Sequence, residues 1–539
     1  MSRALIRGTF VLLGGLALAV HAAQLTSTVR FDGTSWWEYV KVLADDKMEG
    51  RGTGSDGLRK AEAYVVEQLQ KSGLEPAGES GFYQSVEFDE RRIDEKASFA
   101  TLLRTGQQDS LILGEDAYFS SSVDMPSKEI TAPLEFVGYG LKIPERALDD
   151  FAGLDLQGKV VVYISGSPED IPSALSAHSQ TPMERNKTLR AAGAIGVIRI
   201  LNPSAMDAPW ARLASNRTSA AMQLADPKMQ DSTDIKVALT FNPASAEKLF
   251  VGSGHSFAEI EALAKDRKPL PRFPLVTTLK AHAAIDSKII ESDNVIGKLS
   301  GTDPVLKNQY VVLSAHIDHL GIGAPINGDS IYNGAMDNGS GSALLLDIAA
   351  RLRAHPEKLR RSVLFVFVTA EEKGLLGSRY FAAHPTVDAR SMVADINTDM
   401  FLPIVPLKTL LVLGIDESSL GARAAAVAQS LGVHPIPDPM PLRNIFIRSD
   451  QYSFVLHGIP SVMMSCWAEP GTPDEHVLET WLSTRYHAPS DDVNQPVNLQ
   501  AAALFEEIVL RLLSDTANAD QRPRWNDNSF FRRYSVSTD

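Results

Sequence analysis

The alternation of strand-like and helix-like segments between residues 275 and 517 constrains this chain most. Tyr310 to Ala315, Val363 to Thr369 and Met392 to Ile396 are short apolar runs of the kind buried on both faces. Leu410 to Leu413 and Val462 to Met464 are further strand candidates. Ser340 to Arg353, Ala424 to Leu431 and Leu499 to Leu513 read as helices. Such alternation predicts an α/β domain with a mostly parallel central sheet flanked by helices. Ligands of such sheets bind beyond the carboxyl ends of the strands.

The upstream sequence divides further. Ala61, Tyr64, Val65 and Leu69 recur at helical spacing, Gly73 is placed as a C-cap, and Glu49 to Gly54 is a turn-rich loop before them. From 131 to 274, glycine-bounded runs such as Phe136 to Gly140 and Gly158 to Ile164 predict a β-rich insertion that ends at the proline-rich Lys268 to Pro274. Arg3 and Arg7 followed by the short apolar run Gly8 to Val20 read as a secretory signal, too short for the ~20 residues of a spanning helix. The expected organisation is a signal over 1–22, an N-terminal part over 23–130, the insertion over 131–274, the main α/β domain over 275–518, and a polar, loosely ordered tail over 519–539. A periplasmic or secreted protein follows, with no stable membrane anchor after signal cleavage.

Composition narrows the chemistry. The 66 acidic residues exceed the 52 Lys and Arg, for a net charge of −14, which argues against nucleic acid as a partner. Cys466 is the single cysteine, so disulfide frameworks and thiolate-rich metal sites are excluded. A metal would have to be held by His, Asp and Glu.

Such residues stand where the strands should end. His316-Ile317-Asp318-His319 follows the first run, Glu371-Glu372 the second and Asp399 the third. Asp337 lies in a glycine-rich loop before a helix, and His487 lies far downstream. His316, Asp337, Glu372, Asp399 and His487 form the candidate metal set. Two imidazoles and three carboxylates suit a pair of Zn²⁺ ions, although cobalt and manganese accept the same donors. Two close ions activate a water, and Glu371 is placed to take its proton. A Glu-Glu pair alone is ordinarily a solvated surface, and on an extended strand its members point to opposite sides. The pattern at several strand ends, rather than any one string, points to a site.

These strings together resemble the co-catalytic dinuclear zinc aminopeptidase family, which includes bacterial leucyl aminopeptidases and glutamate carboxypeptidases. The matching stretches are His316 to Gly321, Tyr332 to Gly341, Ala370 to Ser378, Ile396 to Met400, Arg448 to Asp450 with Gly458 to Pro460, and Tyr486 to Asp492, in the family's order. Leu43 to Ser55 resembles the family's start. The resemblance implies two Zn²⁺ per chain. Asp337 would bridge them, His316 and Asp399 would complete one site, and Glu372 and His487 the other. Glu371 would be the general base, and Asp318 would orient His316. Asp450 would have a supporting part. The insertion resembles a protease-associated domain, through Phe136 to Gly140, Asp149 to Phe151, Gly158 to Val161 and Ala191 to Ala194.

Three positions depart from the family pattern: Met336 where relatives often have an acid, Gln451 where they often have His, and Phe446 where some carry a Tyr that steadies the oxyanion. The expectation is a zinc metallo-exopeptidase that removes the N-terminal residue of peptides. Carboxypeptidase action with Arg448 or Arg443 on a free carboxylate, cyclisation of N-terminal glutamine, and a non-catalytic receptor-like protein are the alternatives. Cys466, in an apolar run, is expected to be buried rather than reactive.

Overall fold

The computed structural model describes residues 30–124, 128–206, 208–215, 217–231 and 234–535. The signal read over residues 1–22 lies outside them. In chain order come helices α1 (Thr34–Leu43) and α2 (Asp56–Lys71) and the long strand β1 (Tyr83–Arg104). The inserted region carries β2 (Ile130–Phe136), β3 (Val160–Ile164), α3 (Ser173–Ser179), α4 (Pro182–Ala191), β4 (Gly196–Ile200) and β5 (Val237–Phe241). The chain returns through β6 (Phe273–Leu299). Then follow β7 (Tyr310–His316), α5 (Ser340–Ala354), β8 (Ser362–Val368), α6 (Leu376–Ala383), β9 (Met392–Thr398) and β10 (Thr409–Leu413). Last come α7 (Ser419–Ser430), β11 (His434–Ile436), β12 (Ser461–Trp467), α8 (Pro473–Thr484) and α9 (Leu499–Asn518).

The sheet of the C-terminal part runs β11-β10-β12-β9-β7-β8-β6. β7 pairs in parallel with β8 on one side and β9 on the other, and β9 is parallel to β12. β10 and β6 join antiparallel. The mostly parallel α/β sheet flanked by helices is therefore as the sequence predicts. All seven residues of β8 are buried, so its run Ser-Val-Leu-Phe-Val-Phe-Val has no polar face to alternate. After β7 the chain passes through α5 to β8, then through α6 across to β9 on the other side. That reversal opens a crevice at the carboxyl ends of the three strands. Gly341 lets α5 start against this crevice, because a Cβ there would lie 2.3 Å from the carbonyl oxygen of Thr398.

β1 and β6 form a two-stranded antiparallel ribbon from Tyr83↔Val295 to Leu103↔Thr278. The far end of the ribbon enters a second core. There β6 pairs with β2, and β2, β3, β4 and β5 are mutually parallel. Phe136, Val162, Ile198, Leu239, Phe250 and Phe273 fill that core. The main core gathers Trp36, Leu313, Leu345, Phe365, Phe367, Phe505 and their neighbours. Trp36 donates from its indole to the Ser340 carbonyl at 2.9 Å, which ties α1 to the first turn of α5.

The segment read as a loose tail is packed instead. Phe531 is fully buried and Trp525 nearly so, among Ala177, Phe446 and Tyr452. Its polar composition hid three aromatic anchors, Trp525, Phe530 and Phe531. Among the described residues no helix is long and apolar enough to cross a membrane.

Candidate metal centre

The carboxyl-end loops bring the candidate side chains to the crevice. His316 ends β7, Glu371 and Glu372 follow β8, and Asp399 follows β9. The loop before α5 supplies Asp337, and the loop after α8 supplies His487. Glu371 and Glu372 lie beyond the end of β8, in a bend, so both side chains reach the site. Ala370, Met400 and His487 sit at φ of 55°, 45° and 54°, positive values that favour glycine, and all lie in these loops.

The distances form two linked groups. His316 Nε2 lies 3.4 Å from Asp337 Oδ1, 3.2 Å from Asp399 Oδ1 and 3.9 Å from Glu371 Oε2. His487 Nε2 lies 3.2 Å from Asp337 Oδ2 and 3.3 Å from Glu372 Oε2. Asp337 thus turns one oxygen to each group. Tetrahedral donors held at ~2.0–2.1 Å from a zinc ion lie about 3.3–3.4 Å apart. The observed separations match that spacing, and the donors are the hard and borderline types that Zn²⁺ takes.

The charge balance also fits cations. Among the described residues, the six carboxylates of Asp318, Asp337, Glu371, Glu372, Asp399 and Asp450 converge here with three imidazoles and the buried Arg51 guanidinium, which leaves an excess of acids. Burial, then Asp399, Glu372 and Asp450, hold the Glu371 carboxyl well above the usual carboxylate range, against the pull of His316. Burial works against ionised His316, yet Glu371, Asp399 and Asp337 outweigh it and raise the imidazole well above its ordinary value. Both oxygens of buried Asp450 lack a hydrogen-bond partner among the described residues, and its carboxyl is pushed up to about 7. Bound cations relieve such crowding.

Several supporting residues were not singled out from the sequence. His319 Nδ1 lies 2.6 Å from Glu372 Oε1. That is a hydrogen-bond separation, shorter than two ligands of one ion keep, so His319 orients Glu372 rather than joining the ligand set. Asp491, four residues after His487, accepts from the backbone N–H of Met336 and Asp337 at 3.0 Å each. It fixes the loop that carries Asp337. Arg51 is fully buried and donates to the carbonyls of Leu43, Ile317, Asn333 and Gly334 at 2.6–2.8 Å. It joins the N-terminal loop to both strings that bear site residues. The sequence offered faint signals: a second His in His-x-Asp-His, an acid near His487, and an Arg between glycines.

Asp318 is placed differently from the expectation. His316 Nδ1 is 3.1 Å from the Asp318 backbone carbonyl and 3.8 Å from its carboxylate. The carboxylate instead accepts the Glu371 N–H at 3.1 Å and the Thr53 hydroxyl at 3.0 Å. It therefore anchors the backbone of Glu371, while the carbonyl sets the His316 tautomer. Phe446 faces away, packed on Phe531 and Tyr452. Tyr486 faces the site. Its ring stacks on His487 at 3.9 Å, and its hydroxyl accepts from Arg448 at 3.0 Å.

Two cavities open on the centre. One is walled by Met400, Leu402, Leu411, Leu413, Met463 and Trp467, with Arg443, Arg448 and Tyr486 also on its lining. The other is a cleft of ≈ 1120 Å³ that runs from Glu372 and His487 beneath the inserted region.

Residues 294–513 match the sequence model of Peptidase family M28, the span that holds every candidate ligand. Over 256 residues the chain is 31% identical to "probable leucine aminopeptidase 2" of Aspergillus oryzae, an overlap of 44% of this chain and 48% of that protein. Over 505 residues it is 24% identical to "Aminopeptidase YwaD" of Bacillus subtilis, covering 91% and 89% of the two chains. The solved "Aminopeptidase from Aneurinibacillus sp. strain AM-1" shares the fold at a TM-score of 0.53 and 19% identity, over 90% of this chain and 94% of that one. The chain spans about half the length of the two Aspergillus leucine aminopeptidases that it matches.

Proposed function

We propose that this chain, which carries a peptidase family M28 domain, is a zinc-dependent aminopeptidase that releases the N-terminal residue of peptides. The division of the Asp337 carboxylate between two donor groups carries the reading. His316 and Asp399 would hold one Zn²⁺ and Glu372 and His487 the other, with Asp337 shared. When bound, two such ions polarise a scissile carbonyl and make water acidic enough to attack it.

The chain's own residues supply the rest. Glu371, held by Asp318 through its backbone N–H, accepts the proton of the attacking water and returns it to the leaving amine. The Tyr486 hydroxyl accepts a hydrogen bond from Arg448 and keeps its own proton to donate to the developing oxyanion. That is the part the family resemblance places at Phe446. The apolar cavity takes an apolar first side chain, and the cleft takes the leaving peptide. The inserted region is read as a protease-associated domain over that cleft. The charged and then apolar residues 1–22 support export to the periplasm or medium.

Arg443 and Arg448 on the same cavity favour one second reading, a carboxypeptidase that binds a free C-terminal carboxylate beside the metals. Products from matched peptides, one N-acetylated and one C-amidated, separate the two. The aminopeptidase reading expects release of the first residue from the amide and nothing from the N-acetylated peptide. Release of the last residue from the N-acetylated peptide would overturn it.

A further inference from the structure

Among the described residues, two cations on the lining of the cleft beneath the inserted region, Lys373 beside the candidate ligand Glu372 and Arg199, have no acid within ion-pair distance. Most charged groups on its walls are paired. Arg379 holds Asp231 at 2.7 Å, Arg217 holds Glu95 at 2.7 Å, Glu49 meets Lys60 at 2.7 Å, and Glu90 meets Lys288 at 3.2 Å. Arg185 is spent on the carbonyls of Gly140 and Gln180 and on the Tyr163 hydroxyl. Arg199 differs. It projects from β4 of the inserted region and is exposed, and its one hydrogen bond among the described residues is to the Thr240 hydroxyl at 3.3 Å. No acid lies within ion-pair distance of it among the described residues. Thr240 and Tyr118 stand beside it across the sheet, and the only charge that acts on it from nearby among the described residues is the buried Arg185 guanidinium, so no acid competes for it. Such a surface offers hydrogen bonds to a peptide backbone without competing for the guanidinium. The lining of the same cleft includes Glu372 and His487.

We propose that Arg199 receives the free C-terminal carboxylate of a short peptide whose N-terminal residue lies at the metal centre, so that this chain trims oligopeptides rather than long polypeptides. The inference rests on the aminopeptidase reading and deepens it. A planar guanidinium meets a carboxylate through two parallel N–H···O bonds, a geometry that an amide terminus cannot reproduce. Roofing by the inserted region sets a length at which one peptide engages both ends. Shorter peptides fall short of Arg199, and longer ones bring no carboxylate to it. The contact is made equally in ground and transition states, so it acts on KM rather than kcat.

The test measures release of the N-terminal residue from peptides of two to eight residues, each as free acid and as C-terminal amide, with an aminoacyl anilide as reference. The wild-type enzyme is expected to favour the acid about tenfold in kcat/KM at one preferred length, through KM. Arg199→Gln should remove the preference at that length by raising KM for the acid, and Arg199→Lys should restore part of it. Equal rates on acid and amide at every length would overturn the proposal. So would a preference that survives Arg199→Gln, or one lost instead on Lys373→Gln, which would move the carboxylate nearer the metals. If neither anilide nor any peptide loses its first residue, the aminopeptidase reading itself fails, a different result from anilide cleavage without carboxylate preference.

Discussion

Arg51 offers the sharpest stability prediction. It is fully buried, and its guanidinium donates to four carbonyls from three separate segments. Arg51→Met keeps the bulk and removes every donor. The Gly334 carbonyl still receives the Gly339 N–H at 3.0 Å, so Leu43, Ile317 and Asn333 lose their bonds. Each buried orphan costs ~1–3 kcal/mol, which puts the loss at roughly 3–9 kcal/mol. Removing the charge also relieves the desolvation that pulls this guanidinium down to about 10. The lower end, about 3 kcal/mol, is therefore the working figure. Because the carbonyls of Ile317, Asn333 and Gly334 flank His316, Asp318 and Asp337, metal affinity should fall as well, by 10- to 100-fold as for other outer supports. Urea unfolding followed by tryptophan fluorescence reads the first effect, and zinc competition with a chromophoric chelator reads the second. A variant that unfolds like the wild type and competes equally for zinc would refute the clamp.

Four further outcomes follow from the same geometry. Glu371→Gln should keep metal content and fold while kcat falls at least 10²-fold, the scale of lost general-base catalysis; near-normal turnover would remove Glu371 from its role. Tyr486→Phe should lower kcat about 10²-fold with little change in KM, the mark of a donor used only in the transition state, and a change confined to KM would contradict it. Burial raises the Glu62 carboxyl to about 8 from an ordinary 4.5, so the folded chain holds a proton that the unfolded chain releases, and stability falls as pH rises from 4.5 to 8. Glu62→Gln should therefore unfold like the wild type near pH 4 and be the more stable at pH 8, by at most about 5 kcal/mol, and an equal difference at both pH values would be inconsistent. Phe531→Ala should cost about 3–5 kcal/mol in denaturant unfolding, whereas a loosely held tail would give no change.

The C-terminal α/β part was legible because buried parallel strands are continuous apolar runs. Val363 to Thr369 and Met392 to Ile396 announce themselves by composition, and the site residues stand directly after them. The ribbon of β1 and β6 was not legible. Its outer stretches are rich in charged and polar residues, as in Asp89 to Asp94 and Asp286 to Asp293, and each strand is held by a partner 175 to 212 residues away in sequence. A reading of local periodicity does not contain that partner. The candidate ligands were found through strings at strand ends. Arg51, His319 and Asp491 were harder, because their importance lies in which backbone groups they meet, and that depends on three loops converging. The part given to Asp318 shifted for the same reason. Sequence places its carboxylate near His316, but only the fold shows that Thr53 and the Glu371 N–H occupy it.

The proposed chemistry needs a shared pair of metal ions held through Asp337. Elemental analysis of the purified protein, before and after chelation, tests it most directly when Asp337→Ala is measured alongside. Two zinc equivalents in the wild type, aminoacyl-anilide hydrolysis lost with chelator and restored by zinc, and less than one equivalent in Asp337→Ala would be the predicted result. Full hydrolysis by metal-free protein, or two ions retained without Asp337, would contradict the account.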